Sequence, residues 1–333
     1  MTDLIKIAVD AMGGDGSPKK VIDGIIYNHK SNQENYFKIF GDKNQILKLI
    51  NNKIDKGFYE IIHTENIVKS TDSPLEAAKK GKDTSMWLSI ESVKKKDSDI
   101  VISAGNTGAL LVISKLNLKM IENIDKPALS ALWPNKKGMS VVLDLGANIE
   151  CSSKNLVDFS IMGSALYKAL YPKENPNVAL LNIGSEELKG NETIKETFQK
   201  LNEKKSKNLN FSGYIEGNQL MDGDVNVIVS DGFTGNVALK TAEGTANFIT
   251  NELKQALNGN LLGKISSLLN ISNLRKFKKR LDPRLYNGAI FIGLDTPVVK
   301  SHGGTDYIGF SNSLDVCNKI IKGNLIDKIN ENI

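Results

Sequence analysis

Cysteine is nearly missing from this chain: 333 residues hold two, Cys151 and Cys317. Two cysteines so far apart offer neither a disulfide framework nor the paired spacing of a zinc site, and they fit a reducing cytoplasm. Histidine is also scarce, at three residues, and the carboxylates are scattered without metal-ligand spacing. No metal and no cofactor is expected. Aromatic residues make up 6%, and no basic stripe is interleaved with them, so a net charge of +5 does not imply nucleic acid. No apolar run approaches the roughly 18 residues that span a membrane. The chain enters a strand at Leu4–Val9 with no signal-peptide pattern ahead of it. Two nucleotide fingerprints are absent as well. The glycine-rich stretch Asp10–Ser17 does not have G-x-G-x-x-G spacing, and no G-x-x-x-x-G-K-[ST] occurs. Nor is there a Ser-His-Asp constellation that would form an acyl-enzyme.

What is present is an ordinary globular balance, 40% hydrophobic and 24% charged, enough to bury one large core. The reading is a single α/β domain over residues 1–333. Short β-branched runs at Ile5–Val9, Phe37–Phe40, Tyr59–His63, Ile100–Ile102, Ser140–Leu143, Val178–Ile183, Phe211–Ile215, Val225–Val229 and Pro297–Lys300 each lead into a polar, mostly glycine-rich loop. Segments with helical spacing follow most of them, notably Asn155–Tyr171. Ser17 and Pro18 read as the cap and first turn of one helix, and Pro74 starts another. This alternation predicts a three-layer, largely parallel, Rossmann-like sheet with helices on both faces. Ligands in such sheets bind beyond the carboxyl ends of the strands, so the loops are expected to converge on one edge.

The most informative stretch is Val225–Asn251. A buried strand ends in Ser230-Asp231-Gly232-Phe233-Thr234-Gly235-Asn236, and helical spacing begins at Val237. A glycine loop feeding a helix start presents unpaired N–H groups and the positive end of the dipole, which suits an anion; an ordinary strand-to-helix turn reads the same way. Lys240, one turn inside that helix, would reach back to the anion, in competition with Lys300. His302 is the sole histidine in a candidate loop, either a donor to a ligand or leaving group or an ordering residue of the loop. Asp10, Asp144 and Asp231 end strands and would repel an anion, so a loop-orienting role suits them better. Cys151 is an acyl acceptor or, on the blander reading, a buried structural thiol.

One segment breaks the rhythm. Over about 252–285, Leu261, Leu262, Ile265, Leu268 and Leu269 fall on one helical face, and a basic cluster with Lys276, Lys278 and Lys279 follows. Such a segment suits a membrane surface, an acidic partner or a dimer contact.

Taken in order, IAVDAMGGDGSP, ISAGNTGALL, VVLDLGAN, NIGSEELKGNE, YIEGN, VIVSDGFTGNVALKTAEG and VVKSHGG resemble the successive loop motifs of the bacterial phosphate acyltransferase PlsX family, across residues 7–304. The resemblance implies acyl transfer from acyl-[acyl-carrier protein] to inorganic phosphate, giving acyl phosphate for phospholipid synthesis by direct attack on the thioester. It also implies a homodimer and a fold similar to isocitrate/isopropylmalate dehydrogenases and phosphotransacetylases. Peripheral contact with the inner face of the membrane, or with a membrane acyltransferase, is implied too. The stretch Glu252–Arg284 shares only the amphipathic basic character. On this basis Lys240, His302 and Asn236 are catalytic candidates. Gly13, Gly14, Ser103, Asn106, Thr107, Gly108, Gly146, Asn148, Gly184, Asn218, Gly232, Gly235, Lys300 and Gly303 are candidates for holding phosphate and thioester. Use of acyl-CoA, as in phosphotransacetylases, or a non-catalytic scaffold at the membrane or carrier protein are the alternatives.

Overall fold

The computed structural model describes residues 4–204, 209–259, 266 and 268–333. Eleven strands form one sheet: β1 (Ile5–Asp10), β2 (Asn35–Gly41), β3 (Tyr59–His63), β4 (Ile100–Ser103), β5 (Ala128–Pro134), β6 (Met139–Leu143), β7 (Asn177–Asn182), β8 (Asn210–Glu216), β9 (Val227–Val229), β10 (Ala289–Ile292) and β11 (Val298–Lys300). Their order is β3-β2-β1-β4-β11-β10-β5-β6-β9-β7-β8. The central strands read as near-continuous Val/Ile runs because both faces are covered; Ile7, Ala8, Val9, Ile100, Val101 and Ile102 have no exposed surface.

Helices on the two faces are α1 (Lys19–Ser31), α2 (Lys43–Ile50), α3 (Pro74–Lys80), α4 (Ser85–Lys94), α5 (Thr107–Asn117), α6 (Ser153–Leu170), α7 (Glu192–Lys204), α8 (Gly232–Asn258), α9 (Ile271–Arg280), α10 (Tyr307–Lys322) and α11 (Leu325–Asn330). Helix α6 is buried around nearly its whole circumference, which fits its almost uniformly apolar and small-residue sequence. It starts with a reciprocal capping box between Ser152 and Asn155.

Two strands are absent from the sequence reading, β5 and β10, and they change the geometry. The pairings β11/β10, β10/β5 and β5/β6 are antiparallel, while the pairings on either side are parallel. Three reversals in a row make β6, β9, β7 and β8 run opposite to β1–β4 and β11. The sheet is therefore mixed but largely parallel, and its loops do not simply share one strand-end edge. They gather in two sets, after β1, β4 and β11, and after β6, β9 and β7.

Helix α8 corrects a second expectation. It begins at Gly232 rather than Val237, with Asp231 as its N-cap. Its 27 residues make it about 40 Å long. Ala238, Leu239 and Ala242 pack on the apolar cluster of Trp133, Val142, Leu145 and Ile228. From Glu243 to Ala256 the helix is exposed, including Phe248 and Ile249. Leu268, Leu269 and α9, with Lys276, Lys278 and Lys279, are exposed as well. Leu261, Leu262 and Ile265 lie outside the described residues. Among the described residues no helix is long and apolar enough to cross a membrane.

Candidate active site

The first loop set is built on Asp10. Its buried carboxylate accepts hydrogen bonds from Ser103 Oγ at 2.6 Å, Ser85 Oγ at 2.6 Å and the Met12 N–H at 3.3 Å. Burial pushes this carboxyl above its ordinary range, and those three donors oppose the shift. The loop after β1 lies directly on the loop after β4. A Cβ at Gly13 would lie 2.7 Å from the Gly105 nitrogen, and one at Gly14 2.6 Å from the Ala104 carbonyl oxygen and 2.9 Å from Lys20 Nζ. Gly14 also has φ +87°, so glycine is required twice over. Ser17 does not cap α1: its Oγ donates to the Gly13 carbonyl at 2.5 Å, tightening the same turn.

Two lysines point into this nest. Lys20, in the first turn of α1, is 8% exposed, and its Nζ donates to the Gly303 carbonyl. Lys300, the last residue of β11, is 7% exposed, and its Nζ donates to the Ser301 carbonyl. Among the described residues neither has a carboxylate at ion-pair distance. Burial, with the Lys20 charge, lowers the Lys300 ammonium to about 8 against the opposing pull of Asp10. Burial likewise lowers Lys20, against the pull of Asp15. Two buried amines, close enough for the charge of one to act on the other and with backbone carbonyls as partners, form an electrostatic deficit that an anion would fill.

His302 follows on the same loop. Its N–H donates to Asn287 Oδ1 at 2.9 Å, and its Nδ1 accepts the Gly304 N–H at 3.2 Å. That acceptance places the proton of the neutral ring on Nε2, which is left as a donor. Desolvation and the charge of Lys300 hold the imidazole below the usual histidine range; Lys240 and Lys20 add to this, and Glu243 opposes it. Lys240 and Glu243, both on α8, are thus near enough for their charges to act on His302.

The second set is organised by Asp144, which has no exposed surface. Its oxygens accept the N–H groups of Leu129 (3.0 Å), Gly146 (3.1 Å), Ala147 (2.9 Å) and Asn148 (2.8 Å), and Asn148 Nδ2 (2.8 Å). The start of α8 is pressed onto this loop. A Cβ at Gly235 would fall 1.9 Å from the Asp144 carbonyl oxygen, and one at Gly232 2.5 Å from that of Asn148. Gly146 faces the Asn236 side chain, 3.6 Å from where its own Cβ would be. Three of the donors expected to meet an anion here, the N–H groups of Gly232, Thr234 and Gly235, are already engaged. Gly232 N–H bonds to the Asn148 carbonyl at 2.8 Å, and Thr234 N–H to Asp231 Oδ1 at 2.8 Å. Lys240 lies two turns into α8, with its Nζ 2.7 Å from Glu243 Oε2, so it does not reach back to the helix start. Burial, with the Asp144 charge, holds the Cys151 thiol at about 11, so it is not a thiolate at neutral pH.

Other residues singled out from the sequence sit elsewhere. Asn106 caps α5 through the Ala109 N–H, and its amide donates to the carbonyls of Ser70 and Asp72. Thr107 and Gly108 form the first turn of that helix, and a Cβ at Gly108 would meet Pro74 at 2.6 Å. Gly184 packs within its own loop against Glu186, and Asn218 is exposed after the edge strand β8. Conversely, Lys20 was not singled out from the sequence. Its signal was available: a lysine on the buried face of α1, with Gly24 and Val21, directly after a glycine-rich turn. Among the described residues no group of His, Cys, Asp and Glu is arranged to hold a metal ion.

Residues 5–328 match the family of the fatty acid synthesis protein. The chain belongs to that family. A phosphate acyltransferase of Pelagibacter ubique (strain HTCC1062) is 75% identical over 333 residues, covering 100% of both chains. One of Rhodospirillum rubrum is 44% identical over 334 residues, covering 100% of this chain and 95% of the other. The chain is accordingly an acyltransferase. Among solved structures, the EutD phosphotransacetylase of Staphylococcus aureus superposes with TM-score 0.62 at 15% identity, covering 96% of this chain and 94% of that one. A 4-hydroxythreonine-4-phosphate dehydrogenase of Klebsiella pneumoniae gives 0.54 at 10% identity, covering 97% and 100%. At those identities the family member shares their fold, and the likeness carries no further.

Proposed function

We propose that this chain transfers a fatty acyl group from acyl-carrier protein to inorganic phosphate, releasing acyl phosphate for phospholipid synthesis. The observation that carries the reading is the pair of buried lysines, Lys20 against the Gly13–Gly14 turn and Lys300 at the end of β11, neither with a carboxylate at ion-pair distance among the described residues. Phosphate bound there is held by Lys20, Lys300 and the backbone of the Gly13 and Gly303 loops, with His302 Nε2–H as a further donor. Holding the anion beside the thioester replaces a bimolecular encounter by a positioned attack, worth several kcal/mol of the barrier at the order of magnitude reached by oriented reactants. A phosphate oxygen attacks the carbonyl carbon directly. A covalent acyl-cysteine is disfavoured because Cys151 remains a thiol. Asp10 keeps the loops of this pocket in place, as Asp144 and Asp231 do those of the second loop set with Asn148, Gly146 and Asn236.

Exposed Ile149, Ile183, Leu188, Phe233 and Val237 follow the carboxyl ends of β6, β7 and β9, an apolar margin suited to the acyl chain. Along the exposed part of α8, Ala246, Ile249 and Leu253 recur at spacings of three and four, the seam of a paired helix. A second copy of the chain is the proposed occupant, giving a homodimer, which sedimentation of the purified protein at twice the chain mass would support. Leu268, Leu269 and the basic face of α9 are left for peripheral contact with the membrane or a membrane acyltransferase.

The testing experiment supplies phosphate with either acyl-[acyl-carrier protein] or the matching acyl-CoA and traps acyl phosphate with hydroxylamine. Product with the carrier-protein thioester, at a kcat/KM at least tenfold above that for acyl-CoA, is expected. Preference for acyl-CoA would replace this reading by a phosphotransacetylase-like one, and no product from either would remove it.

A further inference from the structure

The transfer proposed above must also move one proton. Hydrogen phosphate carries an O–H, its acyl phosphate product does not, and the carrier protein leaves as a thiol rather than a thiolate. The pocket therefore needs a group that accepts a proton from bound phosphate and surrenders it to sulfur. The acidic and basic side chains around the pocket narrow the choice. Asp10 is surrounded by two hydroxyls and an N–H, all donating to it. His302 uses Nδ1 to accept the Gly304 N–H, so it faces the pocket as a donor. Asp15 is exposed and acts on Lys20 from the outer side of the loop. Glu243 is engaged with Lys240 on α8. Lys20 and Lys300 remain, both buried and mutually repelling, so that the pair is eased when one amine is neutral. Lys300 is the one at the strand end, between Asp10 and the His302 loop.

We propose that Lys300 is the catalytic proton carrier of this site, resting on the reading of the site as a phosphate pocket. The neutral Nζ accepts the hydrogen bond of the phosphate O–H while Lys20 supplies the fixed positive charge. A phosphate oxygen forms the new C–O bond, the C–S bond breaks with its electron pair going to sulfur, and the phosphate proton moves to Lys300 Nζ. The resulting ammonium then protonates the thiolate, which returns the amine to its starting state. Charge and atoms balance without any other reactant. The ordinary range of lysine would make this amine a poor acceptor near neutrality; burial and the Lys20 charge bring it down to about 8.

The test pairs Lys300→Arg with Lys20→Arg, because arginine keeps the charge but does not release a proton in this pH range. For the wild type, kcat/KM for phosphate is expected to rise with pH through about 8, the range to which Lys300 is lowered. Lys300→Arg should keep phosphate affinity, read by 31P line broadening without acyl donor, within about threefold, yet lose about 100-fold or more in kcat together with that pH limb. Lys20→Arg, at a phosphate-binding residue, is expected to weaken phosphate binding or turnover but to keep the pH limb, because the proton carrier is still present. In Lys300→Gly, added methylamine should restore turnover in proportion to its free-base form. Retention of kcat and of the pH limb in Lys300→Arg, or no amine rescue in a folded Lys300→Gly, would overturn the proposal. If the wild type bound phosphate but made no acyl phosphate, the reading of the reaction would fail instead.

Discussion

Replacing Lys20 by methionine should raise the KM for phosphate about 100-fold and leave the protein as stable as before. A charge-assisted hydrogen bond to a bound anion in a buried site contributes roughly 2–3 kcal/mol, and each 1.4 kcal/mol is a factor of ten. Lys20 is 8% exposed, so little bulk water is available to screen its charge or stand in for it. Methionine fills most of the same volume and carries no charge to desolvate, so the folded state gives up one bond to the Gly303 carbonyl and is relieved of a buried, unpaired ammonium. Initial rates against phosphate, alongside a thermal melt, check both halves. An unchanged phosphate KM would remove Lys20 from the pocket. A large fall in Tm would make it a structural residue.

The second large effect concerns Asp144. Asp144→Ala should cost about 4 kcal/mol of stability, because five N–H groups around a fully buried carboxylate would lose their acceptor together. Asp144→Asn should be nearly as damaging. Its NH2 would face either the three N–H donors now on Oδ1 or the two on Oδ2, which replaces attraction by a clash of donors. Activity should fall with stability, since the start of α8 rests on this loop through Gly232 and Gly235. Denaturant unfolding of the two variants reads the cost. A loss below about 1 kcal/mol in both would mean that the loop holds its shape by other contacts.

Much of this architecture was legible in the chain because buried parallel strands carry their own signal. Val227–Val229 and Ile100–Ile102 are apolar runs closed by polar glycine loops, and both are strands. The strands β5 and β10 were not legible in the same way. AIFI is four residues long, and ALSALWP alternates weakly, with a serine inward and a proline at its end. Missing them hid the antiparallel centre, and with it the reversal that sorts the loops into two sets. The start of α8 was misplaced because Gly232 and Gly235 read as loop residues. Their role is close approach of a helix to the Asp144 backbone, a tertiary demand that local propensity cannot express. Lys240 was favoured from that misplaced boundary. Lys20 was overlooked because a lysine in a helix ordinarily reads as solvated surface, and its burial comes from the β4 and β11 loops, about 85 and 283 residues further along the chain.

Phosphate difference density from crystals of the full chain soaked in inorganic phosphate tests the central claim most directly. Tetrahedral density between Lys20 Nζ and Lys300 Nζ, beneath the Gly13–Gly14 turn and within hydrogen-bond distance of the Gly303 loop, is the expected result. Density at the start of α8 beside Asp231 and Asn236, with none at the two lysines, would contradict it.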